Sequence, residues 1–399
     1  MLTISVNLAN LSPATKALAL YVHWPFCVSK CPYCDFNSHV RSEIDQIAWR
    51  DALLADLEYE ARLLPGRQLT SIFFGGGTPS LMDPATVEAV ITAAMAHWPT
   101  DGPVEITLEA NPNSVEAARF TDLAKAGVNR LSLGLQSFDD KALAFLGRAH
   151  SARDGWRALE IAEHHFRRVS FDLIYALPGD TEASWAATLA QALSLGASHL
   201  SLYQLTIEPG TRFATMVEKR QFEPLDEELS ATLFELTDVM TSAAGMPAYE
   251  ISNHARRGQK SRHNLTYWRY GDYAGIGPGA HGRRLGMRTM RHRKPENFLS
   301  AISRNGHGLV EEAQLSLTEA VDEALVMGLR LREGIDVEAL ADRFAFHSIV
   351  DWSRVAALVH SGHLEQSGTR IALTGAGRLL LDHSLGEIAA AEPKALAVA

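Results

Sequence analysis

Short apolar runs recur along the first half of the chain, separated by longer stretches in which apolar residues return every three or four positions. Residues 17–23 alternate like a strand, and the runs 71–74, 104–108, 130–133, 169–174 and 199–203 are of similar length. Between them, 43–64, 84–97, 114–126, 152–165 and 181–195 carry the helical period. Strand and helix thus alternate about six times over roughly 210 residues, which predicts an α/β fold with parallel strands and crossover helices. Glycine, proline and isolated polar residues gather just after the strands, as at Gly75, Glu109, Gly134, Pro178 and Pro209. One rim rich in such residues is what a TIM-like barrel predicts, here a partial (β/α)6 one. A doubly wound open sheet is the alternative.

The remaining half reads differently. Residues 226–244 are a further helix and 248–252 a short strand. Residues 273–282 hold four glycines, a backbone that passes close to something. From 317 onward, helical patterns at 318–331, 336–344 and 352–361, a hairpin at 364–373 and a helix at 375–383 suggest a winged-helix-like module. The division expected is an N-terminal segment 1–16, a barrel 17–245, a basic segment 246–310, a C-terminal helical domain 311–388 and a disordered tail 389–399.

A chain of 399 residues, 46% hydrophobic, can bury a large core. Its net charge of −10 argues against nucleic-acid binding. The first twenty residues lack the basic start and apolar run of a secretory signal, and no window approaches the roughly eighteen apolar residues of a membrane span. A cytoplasmic location is expected. Residues 253–297 carry eleven Lys and Arg against Asp272 and Glu296, a local excess of +9. That segment is either a solvated loop or a face for carboxylates or anionic lipid headgroups.

The three cysteines of the chain, Cys27, Cys31 and Cys34, stand together at C-x3-C-x2-C spacing. Thiolates suit zinc or iron–sulfur centres. Three on one loop can hold three irons of a [4Fe–4S] cube and leave the fourth open to S-adenosylmethionine. A Cys3His zinc site using His23 or His39 is the competing reading. The odd count disfavours a disulfide, and Asp35 after Cys34 excludes the C-x-x-C-H haem attachment. The spacing resembles the radical-SAM signature, and Tyr33 before the last cysteine fits it.

Further candidates lie on or beyond the strand ends. Bare backbone at Gly75, Gly76 and Gly77 lets a ligand approach, and Glu109 can accept from an ammonium group or ribose hydroxyls. Gln136, Arg148 and Asp172 are polar groups in the same zone. Arg148 suits a carboxylate. Asp172 sits in an apolar run and calls for a partner, either Arg148 or a ligand. In the basic segment His263 stands beside Tyr267 and Trp268, and imidazole is the usual axial ligand of haem iron. His281 is a second candidate.

On these residues the chain resembles the HemN/HemW branch of radical-SAM proteins over nearly its whole length. The resemblance implies that Tyr21, Gly76, Gly77, Thr78, Glu109, Gln136, Arg148 and Asp172 contact S-adenosylmethionine, beside a cluster on the three cysteines. Within the branch, the coproporphyrinogen dehydrogenases carry a further cysteine where this chain has Phe36, and a longer extension ahead of the cluster than the twenty-six residues here. The His-Asn-x-x-Tyr-Trp pattern from His263 to Trp268 matches the haem chaperones of the branch. It implies haem binding, with His263 as ligand, and transfer to acceptors such as respiratory enzymes. No catalytic residue is assigned. The alternative function is radical decarboxylation of propionates in porphyrin biosynthesis. The sequence leaves peripheral membrane contact open, and does not decide between monomer and dimer.

Overall fold

The computed structural model describes residues 16–395 apart from positions 42 and 101. The expected N-terminal segment, save its last residue, and positions 396–399 of the tail lie outside the described residues. Six strands follow one another in parallel: β1 (Ala17–Trp24), β2 (Gln68–Gly76), β3 (Glu105–Ala110), β4 (Arg130–Gln136), β5 (Arg168–Tyr175) and β6 (His199–Gln204). Antiparallel β7 (Asn253–Ala255) ends the sheet beside β6. On the other side β8 (Tyr273–Ile276) runs parallel to β1. Antiparallel β9 (His281–Arg284), β10 (Met287–Arg291) and β11 (Leu309–Gln314) continue outward. The eleven strands order as β11-β10-β9-β8-β1-β2-β3-β4-β5-β6-β7. The α/β expectation holds, with a large, mostly parallel sheet.

Crossover helices cover the outside of the parallel strands. They include α1 (Gln46–Leu63), α2 (Pro84–His97), α3 (Ala152–His165), α4 (Glu182–Ser194) and α5 (Glu227–Ala243). Each starts at a capping side chain: Asp45, Asp83, Ser151, Thr181 and Asp226 all accept from backbone N–H groups of the first turn. Their apolar sides meet Leu18, Leu20, Ile72, Phe74, Leu108, Leu131 and Phe171 in one continuous core. Two expected elements of the barrel half are corrected. The helix expected over 114–126 is two, Ser114–Ala117 and Phe120–Lys125, because the Arg119 guanidinium between them donates to the carbonyls of Ser80 (3.1 Å) and Met82 (2.7 Å). The strand expected at 248–252 is a turn. Glu250 Oε1 accepts there from Ser252 N (2.9 Å) and Asn253 Nδ2 (2.6 Å), and the strand begins only at Asn253.

The seven-residue helix α6 (Arg262–Trp268) closes the amino-terminal end of the barrel. Glu105, the first residue of β3, accepts from the backbone N–H of Arg262 (2.8 Å) and His263 (3.1 Å). Arg168, the first residue of β5, pairs with Glu105 at 2.6 Å and donates to the carbonyls of Gln259 and Lys260. The C-terminal domain begins with α7 (Leu317–Leu329) and has its own core around Val321, Leu325, Ile349, Val355 and Ile371. Its hairpin pairs Leu364–Ser367 with Arg370–Leu373, as expected. The final helical stretch is broken at Leu380 into Gly375–Leu379 and Leu381–Ile388. Ala389–Ala395, expected as disordered tail, is a strand paired antiparallel with Phe346–Val350.

The basic segment is not one solvated face. Arg291, 0% exposed, donates to Asp56 (3.2 Å) and Glu60 (2.6 Å) of α1, and buried Arg284 joins Glu60 and Glu312. Asp56 also accepts from the backbone of Gly277 and Gly308. Arg269 and Arg288 pair with Glu333 and Glu311. Carboxylates elsewhere in the chain therefore absorb much of the local +9, an outcome that linear charge counting misses. Removing one member of a buried ionic network strands the rest. Arg291→Ala is expected to cost about 3–5 kcal/mol of stability, read as a lowered urea midpoint against wild type.

Candidate functional site

The cysteine loop leaves β1 and is held in place by the glycine turn at the end of β2. Gly77 N donates to Trp24 O (2.7 Å) and Thr78 N to Phe26 O (2.8 Å). A Cβ at Gly77 would lie 2.7 Å from Phe26 O, and Gly76 takes a positive φ of 110°. Only glycine lets the two segments meet so closely. Thr78 Oγ1 lies 3.4 Å from Cys27 Sγ, and Asn111 Nδ2 donates to the same hydroxyl at 3.0 Å. The three cysteines are part-exposed and face one cavity of about 640 Å³. Burial pushes the thiols of Cys27 and Cys34 up, so they keep their protons until a metal displaces them. His23 is turned away from them: its ring nitrogens meet Tyr21 Oη (2.9 Å) and Asn37 O (2.9 Å). His39 Nε2 meets Asn37 Oδ1 at 3.3 Å. Neither histidine completes a Cys3His set, and no single-ion cluster of His, Cys, Asp or Glu occurs among the described residues.

Facing the cysteines, the carboxyl-terminal rim supplies the polar wall. Glu109 ends β3 and accepts from Gly76 N at 3.3 Å. Burial, then the neighbouring Asp172, pushes its carboxyl up to about 8. Burial pushes Asp172 up to about 6, against hydrogen bonds from Ser201 and Ser132 and the charges of Arg130 and Arg148. Asp172 does not gain Arg148 as an ion-pair partner. The Arg148 guanidinium instead donates to Asn111 Oδ1 (2.6 Å) and Gly134 O (2.9 Å), with Tyr33 Oη at 3.4 Å and Cys31 Sγ at 3.5 Å. Gln136 follows a register shift in β4, holds a φ of 67°, and its buried Oε1 has no hydrogen-bond partner among the described residues. A strained non-glycine residue with an orphaned acceptor, aimed into a cavity, is a ligand-facing arrangement.

Tyr33, Gly76, Gly77, Thr78, Glu109, Gln136, Arg148, Asp172 and the three cysteines all line the cavity. Tyr21, Gly75, His263 and His281 do not. Tyr21 lies below it, its hydroxyl on His23 and its ring stacked on Phe73. His263 lies in the barrel floor, 4% exposed, with Nδ1 on Ser71 Oγ (3.2 Å) and its ring stacked 4.9 Å from Phe73. Burial lowers its basicity to about 4. Buried there, His263 does not reach the cavity lining, and ligation of haem iron through a ring nitrogen requires the barrel floor to open. His281, on β9, does not line the cavity either. Sequence reasoning missed Glu116, whose carboxylate accepts from Ser80, Asn111 N and Asn113 and so pins the wall behind Thr78. It also missed Tyr203 and Arg330. Arg330 comes from the C-terminal domain, and no local motif announces it.

Glu109 holds its proton in the folded chain through neutral pH, whereas the unfolded chain releases it above about 4.5. The unfolded state therefore binds fewer protons between about 4.5 and 8, and stability falls as pH rises through that window. Glu109→Gln is expected to flatten the decline. Urea midpoints of cluster-free wild type and variant at pH 5 and pH 8 measure it, and an unchanged slope refutes the buried neutral carboxyl.

Comparison with known proteins agrees with this architecture. The Radical SAM superfamily model matches residues 21–192 and the HemN C-terminal domain model residues 315–380. Heme chaperone HemW of Escherichia coli is 37% identical over 384 residues, covering 94% of this chain and 98% of that protein. The mitochondrial radical S-adenosyl methionine domain-containing protein 1 of Bos taurus is 42% identical over 335 residues, 81% of this chain and 75% of that one. The solved coproporphyrinogen III oxidase (HemN) of Escherichia coli shares the fold, with a TM-score of 0.78 at 22% identity over 95% of this chain and 91% of that one. A cysteine loop, its glycine turn and a HemN-type terminal domain, matched over 94% of the chain by the Escherichia coli chaperone, place the chain in the HemW/HemN branch of the radical-SAM superfamily.

Proposed function

We propose that the chain is a haem chaperone that binds haem, a [4Fe–4S] cluster and S-adenosylmethionine, and passes haem to acceptor proteins such as respiratory enzymes. The observation that carries the reading is the single cavity shared by Cys27, Cys31 and Cys34 with Glu109, Gln136, Arg148 and Asp172. The donor set fits a cubane: three thiols on one loop, and neither nearby histidine free to add a fourth ligand. Arg148 beside Cys31 offsets the negative charge such a cluster brings. Gly76 and Gly77 present main chain to the cavity, where a methionyl group can approach, and Glu109 accepts from its ammonium, giving up a proton as the cation arrives. When bound, the cluster supplies one electron to the sulfonium.

The chaperone reading is preferred to porphyrinogen decarboxylation because Phe36, 60% exposed on the cavity wall, stands where the dehydrogenases have a further cysteine. An apolar side chain there offers a surface to a flat macrocycle and no ligand to a metal. The relatives named as heme chaperones support the same choice. Among the described residues no helix is long and apolar enough to cross a membrane.

Anaerobically reconstituted chain is expected to carry about four irons and four sulfides, following the cubane assignment, and to shift the haem Soret band on titration. His263→Ala is expected to lower the melting temperature and leave that shift in place, because the histidine packs the barrel floor. A colourless preparation with stoichiometric zinc, or no Soret change in the wild type, rejects the proposal. A shift lost in a folded His263→Ala protein restores the histidine as the haem ligand.

A further inference from the structure

Arg330 is the residue at the C-terminal end of α7, in the C-terminal domain, yet it lines the cavity of the barrel. The domain is fastened at this point. Arg332 N donates to Tyr249 O (3.0 Å), and Arg332 and Arg378 both pair with Asp238 of α5. The guanidinium itself is sparsely engaged. Its nearest carboxylate is Glu250, 3.7 Å from Nη2 and beyond hydrogen-bond reach. Ser252 N and Asn253 Nδ2 both bond Glu250 Oε1, so Oε2 alone faces the arginine, as a loose ion pair. Arg330 Nε is buried without a hydrogen-bond partner among the described residues. One face of the group is held by the Trp268 ring, 4.6 Å from Cζ.

A guanidinium has five donors in a planar fork, and a stacked one exposes its edge rather than its face. That edge matches the two oxygens of a carboxylate. The cavity wall around it, with Phe234, Ile251 and Tyr203, offers apolar surface beside the charge. Trp268, the last residue of α6, thereby acquires a role distinct from that of His263 at the other end of the same helix. It positions the arginine.

We infer that Arg330 is a carboxylate-binding residue of the cavity, held ready by Trp268 and delivered by the C-terminal domain. The inference rests on the haem-handling reading above for one source of the carboxylate, a tetrapyrrole propionate. The other source is the methionyl carboxylate of S-adenosylmethionine.

Three probes separate these: haem, haem dimethyl ester with both propionates blocked, and S-adenosylmethionine, each titrated into reconstituted full-length wild type, Arg330→Gln and Arg330→Lys. Arg330→Gln is expected to bind haem about tenfold more weakly or worse, the scale of a charged hydrogen bond. Arg330→Lys, which keeps the charge and loses the fork, should fall between, and Trp268→Leu should weaken haem binding in the same direction. Wild type and Arg330→Gln should bind the ester equally if the carboxylate is a propionate. A comparable loss for S-adenosylmethionine instead assigns it to the methionyl group, and either result upholds a carboxylate site. Affinities for haem and S-adenosylmethionine unchanged in folded Arg330→Gln and Arg330→Lys overturn it. Melting temperatures certify folding. If wild type binds no haem at all, the chaperone reading fails, and the S-adenosylmethionine arm alone decides the arginine.

Discussion

The site depends on two backbone segments approaching to hydrogen-bond distance at Gly77. The cysteine loop has limited apolar anchorage: Tyr33 packs on Phe213, but Val28 and Phe36 are exposed and the thiols part-exposed. Its position is set by main-chain bonds from Gly77 and Thr78 to Trp24 and Phe26. Those bonds form only because no side chain intervenes at Gly77. The glycine turn is in turn braced from behind by Asn111 and Glu116. A chain of polar contacts thus runs from the third strand to the sulfur atoms, and the apolar core beneath it, around Phe74, Leu108 and Trp24, makes the platform stiff.

The rim carboxyls show how the same platform sets chemistry. Glu109 and Asp172 share one enclosed region with no counter-ion hydrogen-bonded to either, so both hold their protons at higher pH than usual. An enclosed neutral acid costs little by itself and responds strongly to an incoming cation. Arg148 is kept apart from them by its bonds to Asn111 and Gly134, and its charge serves the cysteine side of the cavity instead. The division of charge across the cavity is therefore built by neutral amides and carbonyls that hold the arginine in place.

Much of this was legible in the residue pattern. The six parallel strands, the cysteine loop and the rim residues follow from short-range periodicity and from where glycine and acid fall after each strand. Long-range pairing was not legible. Residues 253–297 looked like an exposed basic face because Asp56 and Glu60, which neutralise Arg291 and Arg284, lie some two hundred positions upstream. His263 looked like an accessible ligand because a short motif does not reveal that Glu105 and Ser71 draw its helix into the barrel. Arg330 went unnoticed because its place depends on how a separate domain docks. The break at Arg119 escaped for a similar reason: carbonyls at Ser80 and Met82 compete for the guanidinium only in three dimensions.

The helix Arg262–Trp268 turns what an open-ended barrel would make a tunnel into a cup. Glu105 binds that helix across the bottom, and Arg168 holds the two carbonyls just ahead of it. A ligand that enters therefore meets the sulfur-bearing loop and Arg330 of the terminal domain on one shared wall, so the docking of that domain bears on the same space as the thiols.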